Sequence, residues 1–107
     1  MAQKKIMVLI ICYKGENTIR QVLDGITKEM WERASEILIL DDASPKPDRT
    51  IEVAREYKKK NRLDKLTIKA NNNNLGYGGN QKTGFLYALN KQYDIVAVLH
   101  GDGQYPS

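Results

Sequence analysis

Residues 4–17 read KKIMVLIICYKGEN. Within this stretch, residues 6–11 are an unbroken apolar run with no polar alternation, the pattern of a strand covered on both faces rather than wetted on one. A polar group, Tyr13, Lys14, Gly15 and Glu16, follows almost at once. The same form recurs at residues 37–40, ahead of Asp41, Asp42, Ala43 and Ser44, and at residues 95–99, ahead of His100, Gly101, Asp102, Gly103 and Gln104. Residues 66–69 are a weaker strand candidate, followed by the asparagines and glycines of residues 71–79.

Helical spacing fills the intervals. Ile19, Val22, Leu23, Ile26 and Met30 recur three and four apart and make one apolar face, with Arg20, Asp24, Lys28 and Glu29 on the polar side. Asp48 caps a second helix, on which Ile51, Ala54 and Tyr57 recur and the basic residues 58–62 suit a C-terminal end. A third helix starts within the glycines at 78 and 79, with Phe85, Ala88 and Leu89 facing the core. The order is βαβαβαβ. Short links between buried strands imply right-handed crossovers, so the expected fold is α/β: a parallel, Rossmann-like three-layer sandwich. Sheets of this kind bind ligands at the carboxyl ends of their strands, and all the polar clusters named above fall on that rim.

Composition narrows the function classes. Of 107 residues, 41% are hydrophobic and 28% charged, ordinary for a folded domain. No repeat, low-complexity tract or linker divides the chain, so residues 1–107 read as a single domain. Seventeen Lys and Arg against thirteen Asp and Glu give a net charge of +4, which suits an anionic ligand without requiring nucleic acid. The lysines of residues 58–60 with Arg62 read as a solvated helix end; an RNA surface needs basic residues interleaved with exposed aromatics. A lone cysteine, Cys12, excludes a disulfide framework or a zinc-finger set and reads as core packing. The longest apolar run is too short to span a bilayer, and no cleavage site follows Lys4 and Lys5, so a cytoplasmic location is expected.

Each rim cluster has a functional reading and a plainer one. His100, Asp102 and Gln104 alternate along an extended chain and offer nitrogen and oxygen donors for Mg²⁺ or Mn²⁺, with glycines that let a diphosphate approach. The plainer reading is a Gly-Asp-Gly turn with a solvated carboxylate and a structural histidine. Asp41 and Asp42 are adjacent carboxylates suited to nucleobase and ribose donors; alternatively one makes an Asx turn with Ser44. The loop over residues 71–79 tolerates left-handed backbone and leads into a helix N-terminus, where anions are stabilised, or is simply a flexible turn. It matches neither a Walker loop nor a dinucleotide fingerprint.

Together, VLIICYKGENTI (8–19), EILILDDASPKPDRT (36–50), NNNLGYGGNQKTGFLYAL (72–89) and YDIVAVLHGDGQYP (93–106) resemble the N-terminal half of a family 2 glycosyltransferase with the GT-A fold, in the polyprenyl- or dolichol-phosphate sugar transferase branch. The resemblance implies inverting transfer of a sugar from a nucleoside diphosphate sugar, such as a UDP- or GDP-sugar, to a lipid-phosphate or glycan acceptor, assisted by Mg²⁺ or Mn²⁺. It implies that Tyr13, Glu16, Asp41, Asp42, Asn74, Gly76 and Asp102 bind substrate, with Asp42 the principal nucleoside contact. His100, Asp102 and Gln104 take the place of the family's acidic metal motif. The motif departs at its first position, where His100 replaces an acid, and the first loop carries Ile11 and Gly15 in place of a proline and an acid, with Glu16 a partial stand-in. Family members continue with an acceptor site and a catalytic base, and no residue here is assigned that role. The expectation is a donor-binding half, inactive by itself, that self-associates through an open sheet edge near residues 95–99. A non-catalytic nucleotide-binding or interaction module is the alternative; it would bind without metal.

Overall fold

Strand β1, Ile6–Cys12, is buried along its whole length because it has a parallel neighbour on each side and helices over both faces. The computed structural model describes residues 3–101. In chain order, β1 is followed by α1 (Ile19–Asp24), α2 (Lys28–Arg33), β2 (Glu36–Asp41), α3 (Thr50–Asn61), β3 (Leu66–Ala70), α4 (Gly76–Asn90) and β4 (Ile95–His100). The sheet order is β3-β2-β1-β4, all parallel, with Ile10 beside Ile39 on one side and beside Leu99 on the other. The expected three-layer α/β sandwich is therefore the observed fold.

Alternation along β1 builds two cores. Val8, Ile10 and Cys12 pack with Ile19 and Leu23 of α1 and with Val53 and Ala54 of α3. Met7, Leu9 and Ile11 face the other way, toward Ala88 of α4. Among the described residues, β3 and β4 are the sheet edges, and no helix is long and apolar enough to cross a membrane.

Three local expectations change. The apolar face over residues 19–30 is not one helix: the chain breaks after Asp24, and the Thr27 hydroxyl accepts the Met30 amide at 3.1 Å to start α2. Gly25 is a poor helix residue and Thr27 a good cap, so together they outweigh continuous periodicity. The Asp48 cap forms, through Oδ2 to the Thr50 amide at 2.8 Å, although Arg49 occupies the cap position.

Helix α4 begins at Gly76 rather than at 78 or 79, and its buried seam is Asn80, Gly84 and Ala88. Phe85 and Leu89 are 43% and 73% exposed, contrary to the expectation that they face the core. The cause is proximity. A Cβ on Gly84 would collide with the Leu9 side chain, and the Asn80 amide reaches the Leu40 carbonyl at 3.0 Å. A helix lying this close to its sheet has room for small residues on the seam and turns the bulky ones away.

Candidate functional site

Because every strand is parallel, the four carboxyl ends share one rim, and the ladder hydrogen bonds run on into the loops. The Asp42 amide donates to the Cys12 carbonyl (2.9 Å), Asn71 to Asp41 (2.8 Å) and Gly101 to Ile11 (2.8 Å). The loops after β1, β2, β3 and β4 are thus held side by side. Tyr13, Glu16, Asp41, Asp42, Asn74, Gly76 and His100 all lie on them or at their ends. Asp102 and Gln104 lie outside the described residues.

Asp41 is 2% exposed and forms the turn that Ser44 offers. Its Oδ2 accepts the Ser44 amide (2.9 Å) and its Oδ1 the Ser44 hydroxyl (2.6 Å). The Ser44 oxygen in turn accepts the Lys14 amide at 2.8 Å, so this carboxylate fixes the β1–α1 loop from across the sheet. Burial pushes the Asp41 carboxyl above the ordinary range; the Ser44 bonds oppose the shift, and the charges of Asp48 and Asp42 add to it. A second tie runs from the Gly15 amide to Thr50 Oγ1 (2.8 Å), and from that hydroxyl to Asp48 Oδ2 (2.6 Å). Lys14 and Ala43 both adopt left-handed backbone, which is where these two loops turn.

Asp42 is fully buried. Its Oδ1 accepts the Leu75 amide at 2.7 Å and the Asn71 side-chain amide at 3.0 Å, while Asn74 Nδ2 donates to its carbonyl at 3.1 Å. Asn71 continues to Asn80 Oδ1, and Asn74 Oδ1 accepts the Gly76 amide. These acceptors explain the early start of α4, since they satisfy amides that a helix N-terminus leaves without intrahelical partners. Gly76 has φ of +76° with open space about it, so its left-handed backbone, not crowding, favours glycine there.

At the other side of the rim, Gly101 is buried, and its carbonyl accepts the Thr18 hydroxyl at 2.7 Å. A Cβ at this position would collide with Cys12 Sγ, so glycine is required by packing. His100 is exposed and stacks on Tyr77 of α4, with ring centroids 5.3 Å apart and planes 6° from parallel. Tyr13 is half-buried beneath Lys14, whose Nζ lies 5.3 Å from the ring centroid. Glu16 lines a cleft of about 350 Å³ with Lys14, Asn17, Lys46 and Asp48. A larger open groove, about 710 Å³, runs along Thr83, Leu86 and Leu89 of α4, away from these loops.

Lys14, Asn71 and Tyr77 belong to rim clusters that the sequence reading placed without giving these residues a role, and Thr18 is a rim residue that it did not place there. Their partners are 83 residues away for Thr18 and 23 for Tyr77, beyond the reach of any local pattern. Among the described residues, no group of three or more His, Cys, Asp or Glu side chains could hold a metal ion, and His100 supplies a lone exposed donor at the predicted metal position.

Comparison with known proteins bears on this rim. No curated protein shows significant similarity to the chain. A mannosyltransferase from Pyrobaculum calidifontis, solved in complex with GDP-Man and Mn²⁺, shares the fold with a TM-score of 0.77 at 19% identity. The match covers 99% of this chain and 30% of that one. The family model described as glycosyl transferase family 2 matches residues 7–107, nearly the whole sequence, and the chain belongs to that family.

Proposed function

We propose that this chain forms the donor side of a nucleotide-sugar glycosyltransferase. The observation that carries the reading is the single rim on which Tyr13, the Asp41–Asp42 pair, the Asn74–Gly76 loop and His100 converge, in a family 2 chain. The nucleoside sits among Tyr13, Glu16 and the Asp41–Asp42 turn, where an aromatic face and carboxylates suit a base and a ribose. The diphosphate sits toward Gly76 and the end of β4.

His100, Asp102 and Gln104 would hold a divalent ion, Mn²⁺ or Mg²⁺, which when bound neutralises charge on the departing diphosphate. The described part of this set is one exposed imidazole, a single donor. The protein's own residues do the positioning: Asp41 and Asp42 hold the loops in register, and Gly101 keeps the strand end against Cys12. The acceptor is a lipid phosphate or a glycan, attacked with inversion at the anomeric carbon. We assign the catalytic base to none of the described residues and expect no turnover from residues 1–107 in isolation.

Calorimetric titration with UDP, GDP and their sugar conjugates, with and without Mn²⁺, tests the reading. Metal-dependent binding that Asp102→Ala abolishes is the expected result. A folded chain that binds none of these nucleotides would refute it. The engagement of both buried carboxylates in loop architecture favours one rival, a metal-independent binding module. That rival predicts binding unchanged by Mn²⁺ and by Asp102→Ala.

A further inference from the structure

We propose that Tyr77 is a positioning residue for the donor diphosphate, acting through His100; this rests on the donor-site reading above. The backbone on both sides of His100 is fixed, by its register opposite Ile11 and by the bonds from Gly101 to Ile11 and from Thr18 to Gly101. The imidazole itself is exposed and, without a neighbour, would sample several rotamers. Tyr77 supplies that neighbour. Its ring is half-buried against the Met7, Leu9 and Ile11 core, on the first turn of α4, which Asp42 and Asn74 anchor.

The contact is one of faces. With the planes 6° apart, the nitrogens of His100 are directed along the face of the tyrosine rather than at its hydroxyl. The 3.4 Å separation of Tyr77 Oη and His100 Nε2 therefore belongs to the stack and is a poor hydrogen bond. Held this way, the exposed imidazole loses rotational freedom in advance, so an anionic ligand or its counter-ion meets it already placed. Pre-ordering one such side chain corresponds to roughly a three- to tenfold gain in affinity. Tyr77 thereby couples the Asp42 loop on the nucleoside side to the β4 end on the diphosphate side.

The chain has a single histidine, so its imidazole C–H resonances are unambiguous in NMR spectra. Without ligand, Tyr77→Leu should move those resonances downfield by removing the ring current, and Tyr77→Phe should leave them nearly in place. In calorimetry with GDP and UDP plus Mn²⁺, Tyr77→Phe should bind like the wild type and Tyr77→Leu about three- to tenfold more weakly. His100→Ala, a change at an exposed position, should weaken binding at least as much, and adding Tyr77→Leu to it should cost nothing further. Should Tyr77→Leu fold poorly, His100→Ala, at an exposed position, carries the test by itself: nucleotide binding as tight as the wild type's would overturn the inference.

Wild-type binding with a folded Tyr77→Leu protein unchanged would overturn this inference alone. So would a Tyr77→Phe protein as weak as Tyr77→Leu, which would assign the effect to the hydroxyl. Failure of the wild type to bind any nucleotide would overturn the donor-site reading and this inference with it, and the ring-current shift would still report whether the stack forms.

Discussion

The carboxylate of Asp42 and the backbone amide of Leu75 meet at 2.7 Å, joining the end of β2 to the first turn of α4 across 33 residues of sequence. An acceptor at the start of a helix satisfies an amide with no intrahelical partner. Asp42 is thus an architectural residue whatever it does for a ligand.

Replacing Asp42 by alanine leaves the Leu75 amide and one Asn71 donor without their acceptor in a partly buried setting. The expected loss is about 2 kcal/mol, or roughly 10 °C in Tm, read by urea and thermal unfolding. Nucleotide affinity should fall as well, because the Asn74–Gly76 loop loses its anchor. An Asp42→Ala protein as stable as the wild type would show that the loop is held by other means.

Gly101 and Cys12 give a test of packing at the base of the site. Gly101→Ala forces a methyl group against Cys12 Sγ, Ile10 and Ile19, at an expected cost of about 1–3 kcal/mol. Cys12→Ala opens space at that spot and costs about 1 kcal/mol alone. Combined, the two should be less destabilising than their sum by about 1 kcal/mol or more in a double-mutant cycle. Strict additivity would mean that the crowding is relieved by a backbone shift instead.

These contacts mark where the sequence was legible. The strands were, because residues 6–11 and 37–40 are unbroken apolar runs of strand length, each ended by polar residues, and parallel topology followed from their order. The rim followed from the same logic. The seam of α4 did not, because a periodicity argument weighs bulk and so selected Phe85 and Leu89, whereas the close approach of Leu9 selected Gly84 and Ala88. The break between α1 and α2 escaped for a related reason: Ile26 and Met30 keep the apolar spacing although Gly25 and Thr27 interrupt the backbone. At the site, the residue types of Asp41 and Asp42 were informative. The turn of Asp41 with Ser44 is local, three residues apart, and was one of the two readings the sequence offered; the hold of Asp42 on Leu75, 33 residues on, depends on loops brought together only by the sheet.

The two sheet edges differ in a way that bears on self-association. Strand β3 carries Lys69, with Lys65 just before it, and charges of this kind discourage edge pairing. Strand β4, IVAVLH, has no lysine or acid, and Ile95 and Leu99 are exposed on it. The chain is expected to show a concentration-dependent rise in mass in sedimentation, reduced by Ile95→Lys. A monomer at all concentrations would mean that this edge does not pair between copies.

The last prediction concerns the opposite end of the sheet, where Glu36 is 5% exposed and accepts hydrogen bonds from Thr67, Tyr87 and Tyr93, with Lys91 Nζ at 3.3 Å. Burial alone would raise this carboxyl. The four donors outweigh it and hold the group below its ordinary value of 4.5. The sign follows from linkage: the unfolded chain takes up the proton first, so the stabilisation is complete above about pH 4.5 and fades as pH falls toward the lowered folded value. Glu36→Gln should cost about 2 kcal/mol at neutral pH, since the amide presents a donor to hydroxyls that need an acceptor. The gap between the two proteins should narrow in urea melts taken below pH 4.5. Asp41, whose carboxyl is shifted upward, contributes with the opposite sign but is common to both proteins and cancels in the difference. A gap that stays constant down to about pH 3 would show that the charge on Glu36 is not what ties α4 and β3 to the start of β2.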